Sequence, residues 1–158
     1  WLHGSSTHFI VQEVVFLIGK VAYADLPMLY ACAEVFVITS NSHAETWGLT
    51  VNEAMAAGLP VFVSSSCGSC EDLVEDGING RVFDANNTEA LALHFVAIGR
   101  GRYPLAAMGE SSQRIIQQWG LERHAQNFWK AVSYAAARSR APSMLSRVAL
   151  RLVNWMSK

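Results

Sequence analysis

Short β-branched apolar runs alternate with helical stretches along most of the chain, and this alternation limits the fold more than any other feature. The runs predicted as strands are Val14–Ile18, Val35–Thr39, Val61–Val63 and Arg81–Phe83. Helical patterns cover residues 25–33, 50–57, 88–98, 105–119, 122–137 and 143–156. Strands that alternate with helices at this spacing predict βαβ units. We therefore expect an α/β fold with a Rossmann-like parallel sheet flanked by helices.

The composition agrees with this fold class. The chain has 158 residues, of which 51% are hydrophobic and 16% are charged. This apolar composition is typical of a sheet whose strands are covered on both faces, or of a domain that packs against another domain. No run reaches the roughly 18 apolar residues of a membrane span. Three cysteines do not form a disulfide framework, which favours a reducing, cytoplasmic location. Because the first residue is Trp1, we expect the reading frame to begin upstream.

The charge is divided unevenly along the chain. Residues up to Glu122 include all 13 acidic but only five of the 12 basic residues, a net of −8; the remainder carries +7. The last predicted helix places apolar residues on one side and basic residues on another. Two interpretations stay open for residues 143–158: a peripheral contact with an anionic membrane, or an apolar stripe that packs against a domain. No nucleic-acid partner is expected.

The segment from Ser40 to Gly58 contains the chemistry-bearing residues. A strand ends, a polar loop follows, and a helix begins near Gly48. Free backbone N–H groups at a helix start, together with the helix dipole, bind anions such as phosphate. Glu45 precedes this helix, and Glu53 lies roughly 8 Å along its axis.

Carboxylates repel phosphate but accept hydrogen bonds from hydroxyl groups. Two carboxylates beside one phosphate site therefore fit a nucleotide sugar, which has hydroxyls on both sides of its pyrophosphate. The alternative is that Glu45 is a helix-capping acid and Glu53 a solvated helix residue. Spacing alone does not decide between these interpretations.

Four ordered segments resemble the retaining glycosyltransferases of family 4, which have the GT-B architecture. The most specific segment runs from Glu45 through Glu53 to Gly58 and resembles the family's Glu-x7-Glu motif. The resemblance extends from about Val14 to Phe128. It implies that this chain is the C-terminal, donor-binding half of such an enzyme, without the beginning of that half.

The resemblance implies a role for each matched position. Glu45 would contact hydroxyls of the donor sugar beside the reacting carbon, and Glu53 would hold the ribose hydroxyls. Val21 would pack on the base. The phosphates would be held by backbone N–H groups near Trp47, Gly48, Leu49 and Thr50. Trp47 stands where the family more often has Phe. Neither a metal nor another cofactor is expected.

Two parts of the family pattern are missing from this sequence. An Arg and Lys pair that grips the pyrophosphate is not matched, and neither is the N-terminal acceptor domain with its catalytic His. We therefore expect residues 1–137 to form a partial nucleotide-sugar-binding domain and 138–158 a basic amphipathic helix. By itself the chain should bind donor weakly and not turn over.

Other candidates are weaker. Cys67 and Cys70 have the spacing of a redox motif, but they fall where the family has an ordinary loop. His43 lies in the donor-site loop, where a polar residue is common. The predicted function is transfer of a hexose-type sugar from a nucleoside diphosphate with retention. The alternatives are a nucleotide-sugar epimerase of the same architecture and a non-catalytic nucleotide-sugar-binding module.

Overall fold

The computed structural model describes residues 15–41 and 46–138. A short 3-10 helix at Tyr23–Asp25 precedes the first α-helix. The helices are α1 Leu26–Ala31, α2 Leu49–Ala56, α3 Cys70–Leu73, α4 Thr88–Gly99, α5 Leu105–Gln117 and α6 Leu121–Arg138. The strands are β1 Phe36–Ile38, β2 Val61–Ser64 and β3 Gly80–Phe83. The sequence did not predict the 3-10 helix or α3, and the other described elements lie within about three residues of their predicted bounds.

The three strands form one parallel sheet in the order β1-β2-β3. Phe36 pairs with Val61, and Val61 pairs in turn with Gly80. Every residue of β2 is buried, because strands flank it on both sides and helices cover it, whereas β1 is only half-buried. The parallel sheet with helical crossovers confirms the predicted α/β class.

Helix α2 supplies one side of the core. Its residues Val51, Ala54 and Met55 are fully buried, at the spacing that places side chains on one helix face. The helix ends before Gly58, which adopts a left-handed φ of 82° and donates its N–H to the Met55 carbonyl at 3.0 Å. A left-handed residue at this position favours glycine, so the predicted helix end at Gly58 is confirmed.

The predicted strand Val14–Ile18 is wrong over the residues that the structure describes. Residues 15–19 form no strand, and the Phe16 and Leu17 side chains are 82% and 95% exposed. An apolar run becomes a strand only when a neighbour pairs with its backbone. Among the described residues β1 pairs with β2 alone, and no described strand pairs with residues 15–18.

The chain divides into two compact units, one ending at Gln113 and the other beginning at Arg114. Within the second unit, Arg123 stacks on Trp119 and Arg138 stacks on Tyr134. No helix among the described residues is long and apolar enough to span a bilayer. The predicted helix at 143–156 lies outside the described residues, so the boundary at residue 138 stays a prediction.

Candidate functional site

Glu53 occupies a defined position in the first unit. It lies on α2 four residues after Leu49, about 6 Å along the axis, which is slightly less than the sequence predicted. Its Oε2 accepts a hydrogen bond from the Tyr30 hydroxyl at 3.0 Å, and its Oε1 accepts one from the Tyr23 hydroxyl at 3.3 Å. The carboxylate is therefore held between α2, α1 and the 3-10 helix rather than freely solvated.

Tyr30 is the better anchored of the two phenols. Its ring meets Phe36 of β1 edge-on, with centroids 6.1 Å apart. The pKa of Tyr30 is raised to about 12, chiefly by burial and then by the hydrogen bond to the adjacent Glu53 carboxylate and its charge. The phenol consequently keeps its proton at neutral pH and acts as the donor.

A cavity of about 460 Å³ opens beside this carboxylate. Glu53 and the two phenols form its polar part. Its apolar lining consists of Leu26, Pro27, Ala31, Ala56 and Ala57. A mostly apolar cavity with a few converging polar groups has the usual character of a small-molecule site.

The start of α2 is open to an anion. Gly48 precedes the helix with a left-handed φ of 86°, and its carbonyl accepts the first hydrogen bond, from Val51 N–H at 2.9 Å. Leu49 and Thr50 are exposed. Their N–H groups belong to the first turn of a helix, where no intrahelical carbonyl is available. The helix begins at Leu49, which agrees with the predicted start near Gly48 and lies one residue before the predicted helical pattern at Thr50.

Trp47 and Gly48 are fixed by the loop after β2. The Trp47 carbonyl accepts hydrogen bonds from Ser69 N–H at 3.0 Å and from the Cys67 thiol at 3.2 Å. The Trp47 indole donates to Asn52 Oδ1 at 2.9 Å. A Cβ on Gly48 would lie only 2.6 Å from the Cys67 sulfur. The Cys67 side chain thus packs directly against the backbone before α2 and leaves no room for a Cβ at position 48.

This geometry gives the cysteines a structural role. Cys67 and Cys70 are buried and free, whereas Cys32 is exposed. The pKa of Cys70 is raised, chiefly by burial and then by Glu71, which is opposite to the lowered pKa of a reactive thiol. The loop contact of Cys67 was not predicted from the sequence, because it joins residues 20 positions apart.

The other predicted site residues are placed as follows. Val21 is half-buried and lies two residues before Tyr23, where the 3-10 helix begins. Glu45 and His43 lie outside the described residues, so the position of Glu45 relative to Glu53 stays a prediction. Sequence reasoning missed Tyr23 and Tyr30, because nothing in their spacing shows that they reach Glu53.

In this parallel sheet, a strand is followed by a loop, an open helix start and a carboxylate held in place on that helix. These features are typical of a ligand-binding α/β domain. The model of the family "Glycosyl transferases group 1" matches residues 1–115, and the chain belongs to this family. Sucrose synthase of Acidithiobacillus caldus is 34% identical over 102 residues, covering 56% of this chain and 13% of that protein. The alpha-monoglucosyldiacylglycerol synthase of Acholeplasma laidlawii is 32% identical over 110 residues, with coverages of 70% and 26%.

Solved glycosyltransferase structures share the fold. Sucrose-phosphate synthase from Thermosynechococcus elongatus superimposes with a TM-score of 0.67 at 25% identity, covering 82% of this chain and 32% of that one. Anabaena HepE in complex with UDP-glucose gives a TM-score of 0.57 at 26% identity, with coverages of 70% and 30%. These similarities confirm the predicted GT-B fold class. The chain spans about a third or less of each of these four proteins.

Proposed function

We propose that this chain is the donor-binding half of a family 4 retaining glycosyltransferase that transfers a hexose-type sugar from a nucleoside diphosphate. The observation that carries the proposal is the Glu53 carboxylate, held by two phenols at a cavity on the helix whose open start faces solvent. Structures of the similar HepE contain UDP and UDP-glucose, which supports a nucleotide-sugar ligand.

Each proposed contact follows from the chemistry of the group. Glu53 accepts hydrogen bonds from ribose hydroxyls, because a carboxylate is a strong acceptor for neighbouring O–H groups. Backbone N–H groups from Trp47 to Thr50 bind the phosphates at the positive end of the α2 dipole. Val21 packs on the base. Glu45 contacts hydroxyls of the transferred sugar.

The same groups would promote departure of the nucleoside diphosphate. As the bond between the anomeric carbon and the phosphate oxygen breaks, negative charge grows on the phosphate, and the helix start stabilises it. The sugar carbon passes through an oxocarbenium-like state, and the acceptor is added with retention. We propose that this requires no metal and that an acceptor-binding half completes the site, so the chain alone binds donor without turnover.

The proposal extends to location. We place the enzyme in the cytoplasm, with residues 143–158 as the candidate contact to a membrane surface. Co-sedimentation with anionic vesicles tests this part, comparing the chain with a variant that lacks residues 143–158. Equal sedimentation of the two would remove the membrane contact from the proposal and leave the donor site unaffected.

A donor panel tests the binding site. The amide NMR spectrum of the chain is titrated with UDP, UDP-glucose, GDP and ADP, since NMR detects millimolar affinity. We expect saturable shifts for one nucleotide class, weakened in Glu53→Ala and, for the nucleotide sugar, in Glu45→Ala. Glu110→Ala, which removes an exposed carboxylate from α5, is the control. Affinity that is unchanged by both site substitutions would refute the assigned site.

A further inference from the structure

Two tyrosines share one carboxylate, but their surroundings differ. Tyr30 is half-buried on α1, contacts the Phe36 ring and bonds Oε2 of Glu53 at 3.0 Å. Tyr23 is 77% exposed, lies in the 3-10 helix and bonds Oε1 at 3.3 Å. Most O–H···O bonds measure about 2.7–2.8 Å. The Tyr23 bond is therefore the longer of the two, and solvent can compete for it.

A carboxylate offers about four acceptor positions. The phenols use one position on each oxygen, which leaves two positions for the two vicinal hydroxyls of a ribose. The hydroxyl of Tyr30 comes from a ring seated on the sheet, so it cannot leave without disturbing α1. The side chain of Tyr23 is exposed, so its hydroxyl can exchange the longer bond to Glu53 for water at little cost.

We propose that Tyr30 is a positioning residue that fixes the orientation of Glu53, and that Tyr23 is an exchangeable partner that leaves Oε1 when a ribose hydroxyl arrives. This inference rests on the proposed ribose contact of Glu53. Tyr23 follows Val21, the residue assigned to the base, by two positions.

The test measures how well the chain distinguishes a ribose from a ribose without hydroxyls. Dissociation constants are obtained by NMR titration for UDP, GDP and ADP and for their dideoxy analogues, which lack both hydroxyls. For the nucleotide that binds most tightly, the discrimination ratio is the dissociation constant of the dideoxy analogue divided by that of the nucleotide. This ratio is measured for the full chain and for Tyr30→Phe, Tyr23→Phe and Glu53→Gln. Tyr134→Phe, an exposed tyrosine of the second unit, is the matched control.

We expect Tyr30→Phe to reduce the discrimination ratio roughly 3- to 10-fold, because a misoriented carboxylate loses its hydrogen bonds to hydroxyls. Affinity for the dideoxy analogue should not change, which separates positioning from a general loss of structure. In the Glu53→Gln background, Tyr30→Phe should have no further effect on the ratio. Tyr23→Phe should leave the ratio unchanged or raise it.

The two proposals fail in different ways. A ratio that Glu53→Gln does not change would overturn the ribose contact, and with it this inference. A ratio that falls in Glu53→Gln but not in Tyr30→Phe would overturn the positioning role alone. A ratio that falls equally in both tyrosine variants would show that Tyr23 is not exchangeable.

Discussion

The Tyr30 hydroxyl donates a hydrogen bond to Glu53 across 3.0 Å, joining two helices whose sequences give no sign of the pairing. The contact links a residue on α1 to one on α2, 23 positions apart. It places a protonated phenol against a carboxylate at the edge of a cavity. The ionisation of Tyr30 therefore reports directly on whether this arrangement exists in solution.

The first prediction concerns how the free energy of unfolding changes at alkaline pH. The pKa of Tyr30 is raised from 10.0 to about 12, so the folded chain keeps this proton between pH 10 and 12, where the unfolded chain releases it. The free energy of unfolding should then fall with rising pH across that window, and the contribution of Tyr30 is fully present only below pH 10. Urea unfolding at several pH values should show a shallower decline for Tyr30→Phe. Parallel declines for the two proteins would contradict the raised pKa.

The second prediction concerns the backbone before α2. Gly48 has a left-handed φ of 86°, and an added Cβ would meet the Cys67 sulfur at 2.6 Å. Gly48→Ala should destabilise the chain by about 2–4 kcal/mol, combining backbone strain with a steric collision. Gly101→Ala is the matched control, because Gly101 has a φ of 63° with nothing near the Cβ position. It should cost about 1 kcal/mol.

A double variant separates the two causes. Cys67→Ala removes the sulfur that an alanine at position 48 would strike. The loss from Gly48→Ala should therefore be smaller in the Cys67→Ala background, a coupling of about 1 kcal/mol measured by urea unfolding. Strictly additive losses would show that the collision does not occur.

The third prediction concerns thiol reactivity. Cys32 is exposed, whereas Cys67 and Cys70 are buried and donate hydrogen bonds to carbonyl oxygens. A thiol reagent should label one cysteine rapidly in the native chain and all three in urea. Cys32→Ser should abolish the rapid phase. Rapid labelling at Cys70 would instead restore the redox interpretation of the Cys67-Gly-Ser-Cys70 segment.

The fourth prediction concerns the turn before β3. Asn79 is fully buried; its Oδ1 accepts from Glu75 N–H at 2.8 Å and its Nδ2 donates to the Leu73 carbonyl at 2.9 Å. Asn79→Ala leaves both backbone groups without these partners and should cost about 2–4 kcal/mol. Asn86→Ala, an exposed change in a nearby turn, should alter the free energy of unfolding by less than about 0.5 kcal/mol. Similar losses in the two variants would contradict the buried role of Asn79.

The sheet and most helices were predictable because they follow from local periodicity. The predicted run Val61–Val63 is apolar at every position, and the structure buries all three residues together with Ser64 at the end of β2. The identical argument failed for residues 15–18, because burial also depends on a neighbouring strand, which a sequence pattern does not reveal. Local patterns thus predicted the elements but not which of them find partners.

In the candidate site too, only the features that depend on residues close together in sequence were predictable. The helix start at Gly48 and the position of Glu53 within α2 follow from residues close together in sequence. The phenols that hold Glu53 and the thiol beside Gly48 come from segments 19 to 30 positions away. The pairing of Glu45 with Glu53 stays a prediction, because Glu45 lies outside the described residues.

The closeness of Gly48 and Cys67 also restricts how this sequence can change over time. A side chain at position 48 is tolerated only if the residue at position 67 becomes smaller or the loop after β2 retreats. The change at position 48 therefore depends on the residue at position 67. In related sequences, a residue other than glycine at position 48 should be accompanied by a smaller residue at position 67, even though neither side chain is proposed to touch the substrate.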